Sequence, residues 1–357
     1  MEKRALIAMS GGVDSSVAAH LAMKMGYSCE GVTLKLYDNG DIVCDNQKTC
    51  CSLDDIEDAR SACRRIGIPH TVYNFKDSFK ENVISRFIDA YERGATPNPC
   101  IDCNRFIKFK ELVRRAEILS FDFVVTGHYA RVEYDKERKR YLLKKAADPA
   151  KDQSYVLYPL TQDQLSKTLL PLGELTKDEV RELARGLGLI NAEKRDSQDI
   201  CFVPNGDYAE FIRSYTGKSY PEGDFVDEKG NILGTHKGII HYTVGQRKGL
   251  GLALPAPMYV KEKDIAGNKV VLCDNASLFS RELTAKDINL ISVERIDEPM
   301  RVCARVRYNQ KEQPATVTQL DDDTIKVVFE EPQRAISKGQ AVVLYDGDTV
   351  VGGGTIQ

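Results

Sequence analysis

A glycine-rich turn between an apolar strand and a helix constrains this chain more than any other feature. Residues 5–9 form an apolar run, and apolar residues at helical spacing begin at residue 17. Ser10-Gly11-Gly12-Val13-Asp14-Ser15-Ser16 lies between them. Glycines let the backbone approach oxyanions, and the first N–H groups of a helix point toward them. The stretch therefore predicts a phosphate-binding turn, with a plain glycine turn as the alternative.

An acidic residue distinguishes this turn from the Walker loop. The Walker pattern places a lysine after its glycines, whereas this chain has Asp14 there. A carboxylate repels phosphates unless a cation bridges them, so we expect Mg²⁺ at this position. The pattern resembles the pyrophosphate loop of ATP pyrophosphatases. That resemblance implies that ATP is cleaved between its α and β phosphates, with AMP left on an oxygen of the substrate.

Strand and helix patterns alternate over the first 200 residues. The predicted elements are strands at 27–34, 70–75 and 121–126 and long helices at 77–93 and 104–119. Thr176-x-x-Glu179 predicts a cap at the start of a further helix that closes near Gly188. This alternation is typical of an α/β fold with a doubly wound, mainly parallel sheet. Ligands bind at the carboxyl ends of such strands, so we expect Gly127 in the same crevice as the glycine turn.

The pattern changes after about residue 205 to short runs separated by turn residues. The strand-like runs are 301–308, 315–319, 325–329 and 341–345. We therefore expect a catalytic α/β domain over 1–205, a small central linking domain over 206–278 and a C-terminal β-barrel-like domain over 279–357.

Composition is that of a globular protein, with 42% hydrophobic and 29% charged residues. No run approaches the ~18 apolar residues that a membrane span needs. No signal peptide precedes the first strand, which predicts a cytoplasmic location without membrane contact. The net charge of −3 does not indicate nucleic-acid binding. Basic residues nevertheless outnumber acidic ones over 101–151, which fits a solvated helix face or a partner surface.

The chain has ten cysteines, which is many for a reducing compartment. There they favour metal or redox chemistry over a stable disulfide framework. Some are expected to be buried core residues, namely Cys29, Cys273 and Cys303, because they lie in strand-like runs. Another group lacks zinc-ribbon spacing, namely Cys44, Cys50, Cys51 and Cys63.

Two cysteines are candidates for reactive thiols. Cys103 is expected at or just before the N-terminus of the helix over 104–119, where the helix dipole favours thiolate. Arg105 and Lys108 nearby should lower its pKa further. With Cys201 as the second thiol, the pair could form a transient disulfide, or one could carry a persulfide that the other attacks. Alternatively, Cys100, Cys103 and Cys201 could hold a [4Fe–4S] cluster with one open iron.

Several motifs together match one family. They are the glycine turn, Asn98-Pro99 through Cys103-Asn104, and the stretches 126–131, 151–154, 196–202, 242–251 and 339–354. On these motifs the chain resembles the bacterial tRNA-specific 2-thiouridylases from end to end. The resemblance implies an N-terminal domain similar to the adenine nucleotide alpha hydrolases. It also implies that the substrate is tRNA and that the β-rich C-terminal part of the chain binds it.

The resemblance also implies a reaction. ATP adenylates O2 of the wobble uridine and releases pyrophosphate. Cys201 receives sulfur as a persulfide from a sulfur-relay protein or a cysteine desulfurase. Cys103, the second catalytic thiol, then helps to deliver sulfur to C2, AMP leaves, and a disulfide between Cys103 and Cys201 remains to be reduced.

The family's binding residues carry over to matching positions. The implied ATP contacts are Ala8, Met9, Ser10, Gly11, Gly12, Val13, Asp14, Ser15, Leu34 and Gly127. The implied tRNA contacts are Asn98, Pro99 and Cys100 at the target base, together with His128, Lys151, Asp152, Gln153, Arg307, Tyr308 and Gln340.

Two departures from the family keep the sulfur chemistry open. The family has aspartate where this chain has Cys100, and the cluster of Cys44, Cys50 and Cys51 is additional. Because of these two departures, an iron–sulfur cluster remains an alternative to the persulfide cycle as the source of the transferred sulfur. Two further alternatives are another adenylating ligase or sulfurtransferase with the same loop, and an RNA-binding protein with a degenerate loop.

Overall fold

The computed structural model describes residues 2–38, 53–194, 200–203 and 206–357. The strands are β1 (Arg4–Ala8), β2 (Ser28–Lys35), β3 (His70–Asn74), β4 (Phe123–Val125), β5 (Arg131–Asp135), β6 (Arg140–Lys144), β7 (Thr168–Leu169), β8 (Gly223–Asp227), β9 (Ile232–His236), β10 (Tyr259–Asp264), β11 (Lys269–Cys273), β12 (Phe279–Leu290), β13 (Met300–Arg305), β14 (Gln313–Gln319), β15 (Thr324–Arg334), β16 (Ala341–Asp346) and β17 (Thr349–Ile356). The α-helices are α1 (Val13–Lys24), α2 (Leu53–Ile66), α3 (Lys76–Phe79), α4 (Arg86–Glu92), α5 (Pro99–Asp102), α6 (Leu112–Ile118), α7 (Ser154–Leu157), α8 (Gln162–Ser166), α9 (Lys177–Gly186) and α10 (Tyr208–Thr216). Two π-helical segments, Lys80–Ser85 and Cys103–Glu111, continue α3 and α5, and short 3-10 turns occupy Ile239–His241 and Ala276–Leu278.

A parallel sheet with helices on both faces forms the first part of the chain. Its five strands run in the order β3-β2-β1-β4-β7, and every pairing is parallel. Successive side chains of a strand point to opposite faces. Ala5 and Ile7 of β1 therefore pack on the side of α1 and α9, whereas Leu6 packs on the side of α6. The predicted doubly wound α/β sheet is confirmed.

The helix that carries Cys103 begins one turn earlier than its sequence pattern predicts. Asn98 caps it, since its side-chain oxygen accepts a hydrogen bond from the Cys100 N–H over 3.1 Å. Pro99 occupies the first helical position, where a missing N–H costs nothing. Cys103 therefore follows the first turn, and the prediction of a thiol at the helix N-terminus is wrong. The dipole effect on this thiol weakens accordingly, because it falls off within that turn.

The second half of the chain holds two further sheets. The smaller one has the strand order β10-β11-β8-β9. In the larger one, β12 pairs with both β15 and β17 and so closes β12-β15-β14-β13-β16-β17 into an antiparallel barrel. This confirms the predicted β-barrel-like C-terminal fold. The sequence pattern missed β17 because its glycines hide the strand: a Cβ at Gly352 would lie 2.3 Å from the Asn289 carbonyl oxygen.

A hairpin from the first part of the chain joins the barrel sheet. β5 and β6 form this hairpin, and Lys144 of β6 pairs with Thr349 of β17. Leu143 and Tyr155 share an apolar cluster with Val343 of the barrel. Arg105 binds both carboxylate oxygens of Asp287, which lies on the first barrel strand, β12. The first and last of the predicted units thus share a core, and the charge of Arg105, expected to act on Cys103, is matched by an acid.

No helix in the described ranges combines the length and apolar character needed to cross a membrane.

Candidate active site at the carboxyl edge of the parallel sheet

The glycine turn between β1 and α1 is shaped to receive an anion. Gly11 has φ of +75°, and a Cβ there would lie 2.4 Å from the Asp55 carbonyl oxygen. Gly12 precedes α1 and offers no side chain to cap it. The Ser15 hydroxyl instead braces the turn, donating to the Gly12 carbonyl over 3.0 Å and accepting from the Ser10 N–H over 3.2 Å. The start of α1 is thus left to an external acceptor such as phosphate.

Gly127 lies directly against the first turn of α1. A Cβ on this residue would approach the Ser15 nitrogen to 2.7 Å and the Asp14 carbonyl carbon to 2.8 Å. The loop after β4 and the glycine turn after β1 therefore meet at one edge of the sheet. Their contact is so close that only glycine fits.

Replacing Gly127 with alanine is expected to push the two loops apart and weaken ATP binding. The overlap with backbone atoms should cost about 1–3 kcal/mol of unfolding free energy, as for other overpacked sites. Thermal unfolding with and without ATP measures both effects. Gly186→Ala is the matched control because nothing lies within 4 Å of a Cβ there, and it should leave ATP binding unchanged. Equal ATP-induced stabilisation of the Gly127→Ala protein and the wild type would contradict this reading.

Asp14 is held by a lysine from a distant helix. The Lys177 ammonium donates to the two carboxylate oxygens of Asp14 over 2.7 and 2.9 Å, and the Tyr129 hydroxyl donates over 2.7 Å. Lys177 is buried, and it opens α9, whose start is capped by Thr176. The chain therefore has no lysine at the Walker position of its sequence, but the fold places Lys177 beside the glycine turn, which is called the anion turn from here on. Sequence reasoning found the Thr176 cap and missed the role of the next residue.

Two further residues hold the turn from behind. The Asn191 amide donates to the Gly11 carbonyl over 3.1 Å and to the Ser16 hydroxyl over 3.0 Å. Lys194 donates to Asp55 over 2.6 Å and to the Gly11 carbonyl over 3.3 Å. No motif in the sequence pointed to either residue, because each acts through the fold and not through a local pattern.

Cys103 and Cys201 belong to the same apolar region. Cys103 is buried, Cys201 is half-buried and Cys100 is exposed. Cys201 packs against the cluster that contains Cys103 and Phe202, and the Tyr37 hydroxyl donates to the Cys201 carbonyl over 2.8 Å. The fold thus places two thiols that are distant in sequence in one apolar cluster, which also contains Leu36 and Tyr37 just after β2.

The cysteines of the described residues do not form a metal centre. Across 2–38, 53–194, 200–203 and 206–357, no group of three His, Cys, Asp or Glu side chains is arranged to hold a metal ion. The proposed set of Cys100, Cys103 and Cys201 therefore does not fit a [4Fe–4S] cluster in this structure. Cys44, Cys50 and Cys51 lie outside the described residues.

The segment expected to hold the target base meets the other expected RNA contacts. The Tyr308 hydroxyl donates to the Asp152 carbonyl over 3.3 Å. Burial raises the pKa of Tyr308, and the charges of Asp152 and Cys100 add to the rise. The Gln340 amide donates to the Thr96 carbonyl over 2.7 Å, just before Asn98. Side chains from the last part of the chain thus contact the stretch at Asp152 and the residue two positions before Asn98.

Several of the expected RNA contacts are hydrogen-bonded within the protein. Asp152 accepts from the Ser154 hydroxyl over 2.8 Å, and Gln153 accepts from the Tyr129 N–H over 2.9 Å. Arg307 donates to the Ala335 carbonyl and the Ser337 hydroxyl, each over 2.8 Å. These side chains therefore shape the site in the structure, and direct RNA contact by them stays a prediction.

His128 is buried beside Thr126, whose hydroxyl lies 2.8 Å from its Nδ1. Burial, with a smaller effect of Lys108, lowers the pKa of His128 well below its usual value. The imidazole is therefore neutral at physiological pH. Lys151, the remaining expected contact, is half-buried.

Three family models match the chain in succession. They are described as a tRNA methyl transferase HUP domain over residues 3–205, a tRNA methyl transferase PRC-barrel domain over 209–274 and an aminomethyltransferase beta-barrel domain over 280–356.

Full-length relatives carry a different description. The chain is 53% identical to the tRNA-specific 2-thiouridylase MnmA of Clostridioides difficile, covering 100% of this chain and 99% of that protein. It is 52% identical to the MnmA of Acetivibrio thermocellus over 100% and 99% of the two chains. It is 49% identical to the MnmA of Clostridium acetobutylicum over the full length of both.

Proposed function

We propose the following function for this chain, which belongs to the tRNA-specific 2-thiouridylase family: it uses ATP to replace O2 of a tRNA uridine with sulfur, giving 2-thiouridine. The observation that carries this proposal is the anion turn of Gly11, Gly12 and Asp14, in a chain whose two candidate thiols share one apolar cluster. Polyphosphate binding serves adenylation and has no part in methyl transfer. The methyl transferase wording of the family models therefore does not set the activity.

ATP activates the uracil oxygen in the first half of the reaction. A carbonyl oxygen is a poor leaving group, and attack of O2 on the α-phosphorus converts it into a good one while pyrophosphate leaves. The free N–H groups at the start of α1 receive the phosphates, and Lys177 offsets the charge of Asp14 beside them. The proposed ATP contacts are Ala8, Met9, Ser10, Gly11, Gly12, Val13, Asp14, Ser15, Leu34 and Gly127. Mg²⁺ would arrive on the triphosphate, since the described residues form no dedicated metal cage.

Sulfur enters in the second half. Cys201 carries it as a persulfide, supplied by a sulfur-relay protein or a cysteine desulfurase. The terminal sulfur attacks C2 of the adenylated uridine, and AMP leaves with the former O2. The Cys103 thiolate then attacks the Cys201 sulfur, which releases the thiocarbonyl and joins the two cysteines in a disulfide. A cellular thiol reduces that disulfide and resets the enzyme.

The three predicted units then have separate tasks. Residues 1–205 adenylate and thiolate, 206–278 link, and 279–357 help to hold tRNA. The proposed tRNA contacts are Asn98, Pro99, Cys100, His128, Lys151, Asp152, Gln153, Arg307, Tyr308 and Gln340. A target base must leave its stack to reach Asn98 and Cys100, as in other enzymes that modify bases. A cytoplasmic location fits this substrate and stays part of the proposal.

Pyrophosphate release from ATP tests the first half of the reaction, and nucleoside analysis tests the second. Release should require unmodified tRNA, and 2-thiouridine should appear only when a persulfide donor is added. tRNA that already carries 2-thiouridine is the matched control, because its C2 has no oxygen to adenylate. If pyrophosphate is released equally fast with unmodified tRNA and with tRNA that already carries 2-thiouridine, the proposal is wrong.

A further inference from the structure

The turn at residues 242–251, one of the sequence motifs shared with the family, has no part in the mechanism above. Gly245 has φ of +86°, and the Gln246 N–H donates to the Thr243 carbonyl over 3.0 Å, as in a type II turn. The Gln246 side chain fixes the next residues as well. Its oxygen accepts from the Thr243 N–H over 3.0 Å, and its amide donates to the Lys248 carbonyl over 3.0 Å. The backbone on both sides of Arg247 is therefore set before any ligand arrives.

Both ends of this turn are anchored. Tyr242 is 2% exposed and packs edge-on against Phe225, while Leu250 is buried at the other end. The Gly245 N–H donates to the Val260 carbonyl of β10 over 2.7 Å. Arg247 and Lys248, in contrast, are exposed at the tip. A hydrogen-bonded frame thus presents two exposed cationic side chains to solvent, and the backbone that carries them has little entropy left to lose on binding.

Positive charge at the turn is not matched by acids. Arg307 donates to the Val244 carbonyl over 3.2 Å, and Nη1 of Arg334 lies 3.5 Å from the position of a Cβ on Gly245. Burial lowers the pKa of Arg307, and the neighbouring Arg334 lowers it further. Among the described residues, no carboxylate lies within 4.0 Å of the charged groups of these two arginines, Arg247 or Lys248. Asp274 and Glu331 line a cavity in the seam between the small sheet and the barrel, where Arg334 binds Asn275. The exposed positive charge that no carboxylate pairs with therefore lies on the turn itself, at Arg247 and Lys248.

Contacts connect this seam with the segment that is expected to hold the target base. Arg307, which binds the turn, also donates to the Ser337 hydroxyl over 2.8 Å. The next residue, Lys338, accepts at its carbonyl from the Thr96 N–H over 2.8 Å. Thr96 lies two residues before Asn98. We therefore expect an RNA strand whose base enters the site at Asn98 to pass along the seam.

We infer that the turn over 242–251 is a phosphate clamp, in which Arg247 and Lys248 bind the sugar–phosphate backbone of the tRNA that supplies the target base. The inference rests on the proposed function and extends it to a site outside the catalytic crevice. Contacts of this kind set the position of the RNA and carry no sequence information. They bind phosphates through charge, which makes their strength depend on salt.

The double variant Arg247→Ala/Lys248→Ala tests the clamp. We expect its affinity for an unmodified tRNA transcript to fall roughly tenfold near 0.1 M salt, and the plot of log affinity against log salt to become shallower by about 1.4–1.8. Thiolation should show a raised KM for tRNA with kcat unchanged, because neither side chain touches the reacting atoms. Lys3→Ala/Lys24→Ala is the control: it removes the same charge, and Lys24 lies in the last turn of α1, away from the anion turn.

The outcomes separate the clamp from the thiolation reaction. If the double variant binds tRNA with the wild-type affinity and salt dependence, the clamp is refuted even when thiolation proceeds. The same holds if only transfer of sulfur from the donor protein slows, since the turn would then dock an acidic protein. If the wild type binds tRNA but forms no 2-thiouridine, the proposed function fails while the salt dependence still reports on the turn. Arg247→Lys/Lys248→Arg should retain wild-type binding.

Discussion

Replacement of Cys201 by alanine is expected to abolish 2-thiouridine formation while leaving tRNA-dependent pyrophosphate release intact. The adenylation half of the reaction uses the anion turn and needs no thiol. The sulfur half needs a thiol that can carry a persulfide, which alanine cannot do. One equivalent of pyrophosphate per enzyme should therefore appear in a burst, without thiolated product. A quench-flow assay with labelled ATP, followed by nucleoside analysis of the same tRNA, measures both.

Cys103→Ala should stop the reaction one step later. Persulfide should still form on Cys201 and be detectable by intact-protein mass, but release of the thiocarbonyl should fail. Cys273→Ala is the matched control, because this cysteine is buried in β11 of the small sheet, outside the crevice. Wild-type thiolation by either variant would remove that cysteine from the mechanism. Loss of pyrophosphate release in both would indicate a structural defect in place of a chemical one.

Replacement of Lys177 by methionine is expected to reduce tRNA-dependent pyrophosphate release by roughly 10²–10³-fold, the scale seen when one preorganised charge is removed from an active site. Methionine keeps most of the apolar stem but leaves the Asp14 carboxylate uncompensated beside the phosphates. The KM for ATP should rise as well. Adding Asp14→Asn to Lys177→Met should recover part of the ATP affinity, since the repulsion then disappears.

Thr176→Ala provides the control for this second experiment. Thr176 caps α9 through the Glu179 N–H, so its loss should cost about 1 kcal/mol of stability without altering the charge at Asp14. Its pyrophosphate release should remain close to that of the wild type. If Lys177→Met also keeps wild-type release, the ion pair has no part in adenylation. If Asp14→Asn recovers no ATP affinity, the repulsion argument is wrong even though Lys177 matters.

The features predicted well from sequence are those encoded in short windows. The strand, turn and helix around Gly11 and Gly12 were predicted from fewer than twenty consecutive residues, and the cap at Thr176 from four. The parallel sheet followed from the alternation of such windows. The start of the cysteine helix was mispredicted because the apolar pattern was given more weight than the Asn98 cap and Pro99.

The features missed depend on contacts between distant windows. Lys177 reaches Asp14 across 163 positions, and Asn191 reaches Gly11 across 180. A lone lysine after a capping threonine reads as an ordinary first-turn residue, and only the packing of α9 on α1 gives it a partner. The hairpin β5–β6 likewise reads as part of the first unit, whereas its pairing is decided by strands at the other end of the chain.

That hairpin delays completion of the fold during translation. Arg131 of β5 binds Asp348 across 217 positions, so at ordinary elongation rates its partner leaves the ribosome roughly 10 to 40 s later. Until then the edge of β6 lacks its partner strand, and the apolar residues that pack with the barrel are uncovered. An unpaired strand edge of this kind is open to pairing with another chain. A transcript truncated before the codons for β17 would yield a protein whose nucleotide-binding half has an unpaired strand edge at β6. We expect such a fragment to be more open to proteolysis, so β17 also protects the first half of the protein.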